Sequence, residues 1–141
     1  MSLYDALMML PIVAIAQLPQ FSKVANKYSS VEGITSMVIN KSMIAMFADG
    51  NEDFDFVDEV QILMSEDANV AANIAKEAKK AAKKSKLEEL LSANDEGATY
   101  TIYTKSKNNE ITHLVVIVEN DSPAGFVIIS GTIPEDKLND V

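Results

Sequence analysis

Six lysines between Lys76 and Lys86, with Glu77 as the only acid among them, form the sharpest chemical feature of this chain: a local charge of +5 in a molecule of net charge −9. Such a run can meet an anionic lipid or nucleic-acid surface. At helical spacing it is expected to be the wet face of an amphipathic helix, its long stems shielding an apolar stripe. All 12 bases are lysine, so the planar fork used for bidentate phosphate or guanine contacts is missing. No aromatic residues interleave with the lysines for stacking. No nucleic-acid partner is expected.

Asp49, Asn51 and Asp53 match the first three ligand positions of an EF-hand loop. Phe54 then stands where glycine must make the turn, and Val60 where the bidentate glutamate belongs. Phe54, Phe56 and Val57 are expected to pin this acidic stretch to the core. Met43 and Met46, with Met37 and Met64, offer thioethers of the kind that suit copper(I). Met43 and Met46 also sit three apart, as core residues on a helix do, and methionine as a core gap-filler accounts for all four. His113 is the only histidine, and no G-x-S-x-G elbow or zinc-type spacing accompanies it. Asp53 with Asp55, or Asp58 with Glu59, would need contrasting environments to work as an acid–base pair, and a crowded solvated loop offers none. Five scattered glycines make no phosphate loop. No catalytic, cofactor-binding or metal-ligating residue is therefore assigned, no cofactor is expected, and the chain is read as not an enzyme.

The elements that must position these residues follow from patterning. At 141 residues, with 48% hydrophobic and 23% charged residues and no cysteine, the chain is a globular domain without disulfides or thiolate sites. Residues 1–16 read as a signal-peptide-like leader and 17–141 as a single α+β domain. Ala6 to Ala16 is an unbroken apolar run, too short to span a bilayer, ending in the small-residue pattern Ala14-Ile15-Ala16 before Gln17. Met1 to Asp5 carry one negative charge where a basic segment belongs. Pro11 splits the run, which is expected to associate with the leader of a neighbouring molecule or with an open sheet face carrying Val115 and Ile117. Deleting residues 1–16 is expected to lower association without unfolding the domain.

Along the rest of the chain, Pro19 to Tyr28 is predicted as a helix burying Phe21, Val24, Ala25 and Tyr28, and Ile34 to Ile39 as a strand. Asn40 is expected to cap a short helix through Phe47, Asp49 to Glu59 to be a solvated acidic loop, and Val60 to Met64 a strand. Ser65 is expected to cap a helix from Ala68 to Lys84 whose stripe is Ala71, Ile74, Ala75, Ala78 and Ala82, continued by Leu87, Leu90 and Leu91. Ala98 to Lys105, Ile111 to Glu119 and Phe126 to Gly131 alternate as strands, with turns at Asn108-Asn109 and at Asn120 to Gly125. Thr132 to Glu135 reads as a capping box opening a last helix. The expected architecture is a two-layer α+β sandwich: a largely antiparallel five-stranded sheet ending in a three-stranded meander, with helices on one face. Leu114 to Val118 and Phe126 to Ile129 are apolar on both faces, so either these strands are central and covered twice or one sheet face meets another molecule.

The blocks ITSMVINKSMIAMF, VQILMSED, LEELL, TIYTKSKNNEITHLVVIVEN and FVIISGTI, in that order from about Phe21 to the C-terminus, resemble domain-of-unknown-function family 4252. The resemblance implies a small exported protein of gram-negative bacteria, periplasmic or lipid-anchored, with gene neighbourhoods rich in extracytoplasmic-function sigma factors and hence envelope signalling. It carries over no site residues, and the absence of cysteine separates this chain from the lipoprotein members. The expected function is a non-enzymatic envelope module that binds a protein partner or forms a homo-oligomer, with no stable membrane insertion of the mature chain. The alternative is a periplasmic protein binding a small ligand or metal through the methionines or the acidic loop.

Overall fold

The computed structural model describes residues 18–48 and 55–133. Residues 1–17, 49–54 and 134–141 fall outside it, and with them the apolar leader, the EF-hand-like positions Asp49, Asn51 and Asp53, Phe54, and the body of the expected last helix. The described elements are α1 (Pro19–Tyr28), β1 (Ile34–Asn40), α2 (Lys41–Ala48), β2 (Val57–Ser65), α3 (Ala68–Lys84), β3 (Glu88–Asp95), β4 (Ala98–Lys107), β5 (Glu110–Glu119) and β6 (Ala124–Ile133). The six strands form one antiparallel sheet in the order β1-β2-β6-β5-β4-β3. The fold is α+β, with six strands where five were expected and a four-strand meander, β3 to β6, where three were expected.

The extra strand arises where a second segment, Lys86 to Leu91, was expected to add Leu87, Leu90 and Leu91 after the helix. Ser85 ends α3, and Lys86 turns into the left-handed region at φ 57°. Leu87 N–H then donates to the Ala82 carbonyl at 3.0 Å, and Lys86 N–H to Lys83 at 3.1 Å. This paired closure is how helices commonly stop, with the apolar residue after it packed back on the helix. Leu87 indeed packs against the core. Glu88 to Asp95 become an edge strand exposed throughout. With neither face buried, such a strand leaves no alternation to read.

Three boundaries also differ. Asp67, not Ser65, caps α3: its Oδ1 accepts from Asn69 N–H at 2.9 Å and Val70 N–H at 3.0 Å. Ser65 closes β2, and its hydroxyl oxygen accepts from Asp67 N–H. β2 begins at Val57, so Asp58 and Glu59 belong to a strand rather than to a solvated loop. Thr132 and Ile133 lie in β6 rather than opening a helix, and Thr132 N–H donates to the Phe56 carbonyl at 3.1 Å. That approach needs Gly131, since a Cβ there would stand 2.0 Å from the same carbonyl.

The core lies between the sheet and the helices α1 and α3. Phe21, Val24 and Tyr28 of α1 and Ile74, Ala75, Ala78, Ala81 and Ala82 of α3 pack onto Leu63, Val115, Ile117, Phe126 and Ile128. Phe21 meets Phe126 edge-on, with ring centroids 5.4 Å apart. The alanine stripe lets α3 lie close to the strands, and Ile74 supplies its one large buried side chain. Asn108 and Asn109 both take positive φ, 55° and 66°, in the tight β4–β5 turn, the conformation that asparagine tolerates best among residues with side chains.

Candidate functional site

Strand side chains alternate between faces, and residues paired across the ladder share one. The helix-facing residues are therefore Leu63, Phe126, Ile128, Val115 and Ile117, and their immediate neighbours point to the opposite, outer face. There the register draws one apolar row across all six strands: Met37 beside Ile62, then Val127, Val116, Ile102 and Leu91. A second row runs Ile39, Val60, Ile129, Leu114 and Thr104, and a third Thr35, Met64, Gly125, Val118, Tyr100 and Ala93. The second row ends on β3 at Glu88, the partner of Thr104, and the first and third rows contain no charged side chain.

The core beneath α1 and α3 uses the other face of the strands; on this one Val118 clusters with Ala124 and with Ala71 of α3, and Met64, Tyr100 and Val116 pack against that cluster. Phe56 packs against the buried cluster of Ile111, Leu114 and Ile133 at one end, which fulfils the expectation that it pins the acidic stretch. Val116, Ile62, Val127 and Ile102 stay half-buried, and the row ends are open, Met37 at 46% and Leu91 at 52% exposure. Val115 and Ile117, expected on the open face, are instead fully buried beneath the helices; the open face carries Val116 and Val127. The slip is one residue along a strand whose apolar run gave no alternation to choose by.

Helix α2 enlarges the exposed apolar surface. Asn40 Oδ1 accepts from Met43 N–H at 3.0 Å, the cap expected. Met46 and Phe47 are 80% and 78% exposed, and Met43 is also exposed. Methionine as core filler therefore fails for Met37, Met43 and Met46, which lie on the surface. Among the described residues no group of three or more histidine, cysteine or carboxylate side chains is placed to hold a metal ion.

On the helix side, a polar row closes the sheet at the opposite end from α3's cap: Asn40, Glu59, Ser130, His113 and Lys105 are successive ladder partners. The sequence concealed it because Glu59 ends an acidic run that reads as a loop; the alternation Val57, Glu59, Gln61, Leu63, Ser65 was the available signal. Burial holds the Glu59 carboxyl above its ordinary pKa. His113 is buried, with Nδ1 2.9 Å from Thr112 Oγ1. A serine nucleophile needs the imidazole between it and the acid. Here Ser130 stands between His113 and Glu59, so the order is wrong for that relay.

The lysines occupy the outer side of the helical layer. Lys27 Nζ reaches Glu77 Oε1 at 2.9 Å, and the Tyr28 hydroxyl donates to Glu77 Oε2. Burial alone would raise the Glu77 pKa, but the hydrogen bonds from Lys27 and Tyr28 outweigh it and hold the carboxyl below its ordinary value. Burial, and then the bond to Glu77, raise Tyr28. Lys79 Nζ pairs with Glu119 Oε1 at 2.6 Å. A cleft of about 420 Å³ at the start of α3 is lined by Glu119 and Asp121, and Asp67 already occupies the Asn69 and Val70 N–H groups there. It offers no seat for an anion.

The model of the family described as domain of unknown function (DUF4252) matches residues 28–141. The chain belongs to the DUF4252 family. This DUF4252 chain has no match among the curated proteins or the solved structures. The family match takes in the whole sheet and α3, with the outer face and the polar row, and leaves α1 almost entirely outside. No helix among the described residues is long and apolar enough to cross a membrane.

Proposed function

We propose that this DUF4252 protein is a non-enzymatic module of the bacterial envelope that associates with a second copy of itself through the outer face of its sheet. The observation that carries the reading is the apolar row spanning all six strands, with no charge within it and every member half-buried or exposed. A charge-free row along the middle of the face can lie against the same row of a second copy about a two-fold axis. Six strands spaced about 4.8 Å apart, crossed by three rows, outline at most on the order of 500 Å² per copy, since Leu114, Val118 and Thr104 within it are already buried. Two copies would bury at most on the order of 1,000 Å² between them, the low end of specific interfaces. The association is accordingly modest and reversible.

The chain has no cysteine, so an introduced thiol can link only to its own counterpart. Val127→Cys, at the centre of the outer face, should form a disulfide-linked dimer under mild oxidation. Ser36→Cys, exposed on the helix-facing side of β1, should not. Equal linking by both, or none by Val127→Cys, contradicts face-to-face association. Export rests on the apolar run closed by Ala14-Ile15-Ala16. N-terminal sequencing of the protein from the envelope fraction should begin at Gln17, and an intact Met1 in the cytoplasmic fraction contradicts it.

A further inference from the structure

The opposite side of the molecule carries a surface that the outer face does not involve. Helices α1 and α3 together hold seven lysines against the single acid Glu77, a net +6 in a chain of −9, so the rest of the molecule carries −15. In the sequence the lysines of α3 read as one solvated helix face. The fold brings a second helix beside it, and between the two lies a groove of about 200 Å³. Lys23 and Lys27 of α1 and Lys80 and Lys84 of α3 line it, with Gln20, the one acid Glu77 and the buried Val24 and Ala81. Glu77 is committed to Lys27 and Tyr28. Among the described residues Lys23, Lys80 and Lys84 have no carboxylate within 4.0 Å, and only Lys80 acts at longer range on Glu77.

We propose that α1 and α3 form a peripheral docking surface for anionic phospholipid, with one headgroup phosphate seated in the groove between Lys23, Lys27, Lys80 and Lys84. The net negative charge of the chain does not forbid this. At physiological salt the Debye length is about 8 Å, so a surface touching the helical layer responds to its +6 more than to acids across the sheet. Lysine suits a lipid surface, because compact ammonium charges on flexible stems follow a diffuse potential, whereas bidentate phosphate and guanine readout favours arginine. Nucleic acid is the weaker match, since the aromatic residue beside the groove, Tyr28, is buried and offers no stacking platform.

The test is flotation of the full chain with phosphatidylcholine vesicles, with and without phosphatidylglycerol, at low and high salt. Binding should require phosphatidylglycerol and fall as salt rises. The triple variant Lys23→Gln, Lys80→Gln, Lys84→Gln should weaken it on the order of a hundredfold. Lys41→Gln, Lys105→Gln, Lys107→Gln makes the same charge change elsewhere and should weaken it far less. No flotation of the unaltered chain at low salt, equal binding to both vesicle types, or equal loss in the two triple variants overturns the proposal. Tighter binding to duplex DNA than to the anionic vesicles, lost in the groove variant, overturns it in favour of nucleic acid.

Discussion

On one side of the sheet, Leu63, Val115, Ile117, Phe126 and Ile128 are sealed beneath α1 and α3. One residue along on the same strands, Ile62, Val116 and Val127 face outward and stay half-exposed. The two faces use the same aliphatic side chains, so strand composition does not explain their different burial. Cover does: α3 brings a stripe of alanines that lets its axis approach the sheet, and α1 brings Phe21 to fill the remaining gap against Phe126. A row made as apolar as a core, but left half-buried or exposed, has the makings of an interface.

Charge placed on each face should separate the two most sharply. Ile74→Asp puts an unpaired carboxylate where exposure is 0%, at a cost of several kcal/mol, comparable to the whole stability of a small domain. Thermal melting should show an unfolded chain, and a cooperative melt near the original midpoint would mean that α3 is not packed on the sheet. Val116→Lys or Val127→Lys should cost only about 1 kcal/mol, the span of strand propensities, while abolishing association. A collapse of stability as deep as that of Ile74→Asp would show the outer face to be a second core.

Two carboxylates of opposite tendency extend the contrast to pH. Glu77 is held below its ordinary pKa, so its stabilisation is present at neutral pH and lost as pH falls through its folded-state value. Glu59 is held above its ordinary pKa by burial. Its ionisation therefore opposes folding at neutral pH, and stability rises as pH falls through its folded-state value. Glu77→Gln should lower the melting midpoint at pH 7 and flatten its decline in acid. Glu59→Gln should raise the midpoint at pH 7, by less. Melting curves across pH for the two variants check both signs, and parallel shifts would contradict them.

The smallest effect is expected from Lys79→Gln, Lys80→Gln, Lys83→Gln. These side chains lie on the outer side of α3, and only Lys79 is paired, with Glu119. Exposed pairs contribute about 0.2–1 kcal/mol, so the melting midpoint should barely move. A large drop would mean that the lysine stems carry packing as well as charge.

The sequence was most legible where one face of an element is buried. α1 and α3 keep their expected limits because Phe21, Val24, Ala25 and Tyr28, and the alanine stripe around Ile74, recur at helical period. Asn40 and the Asn108-Asn109 turn were readable from side-chain and backbone chemistry alone. Legibility failed in β3, whose two faces are both exposed, so that Leu87, Leu90 and Leu91 looked like one more helical turn. It failed again in β5, where Leu114 to Val118 are apolar without interruption, and choosing which residues face the helices took the ladder register. The polar row was hidden for a different reason: Glu59, Ser130 and His113 are far apart in the chain and meet only through pairing of β2, β6 and β5.

Whether the outer face holds two copies together is the decisive question. Sedimentation equilibrium of the full chain, compared with Val116→Lys/Val127→Lys across the same concentrations, answers it most directly. The unaltered chain should show a reversible monomer–dimer equilibrium, and the double variant should stay a monomer at every concentration while keeping a cooperative melt. An unaltered chain that stays monomeric at every concentration, or a double variant that dimerises as well as the parent, would contradict face-to-face association.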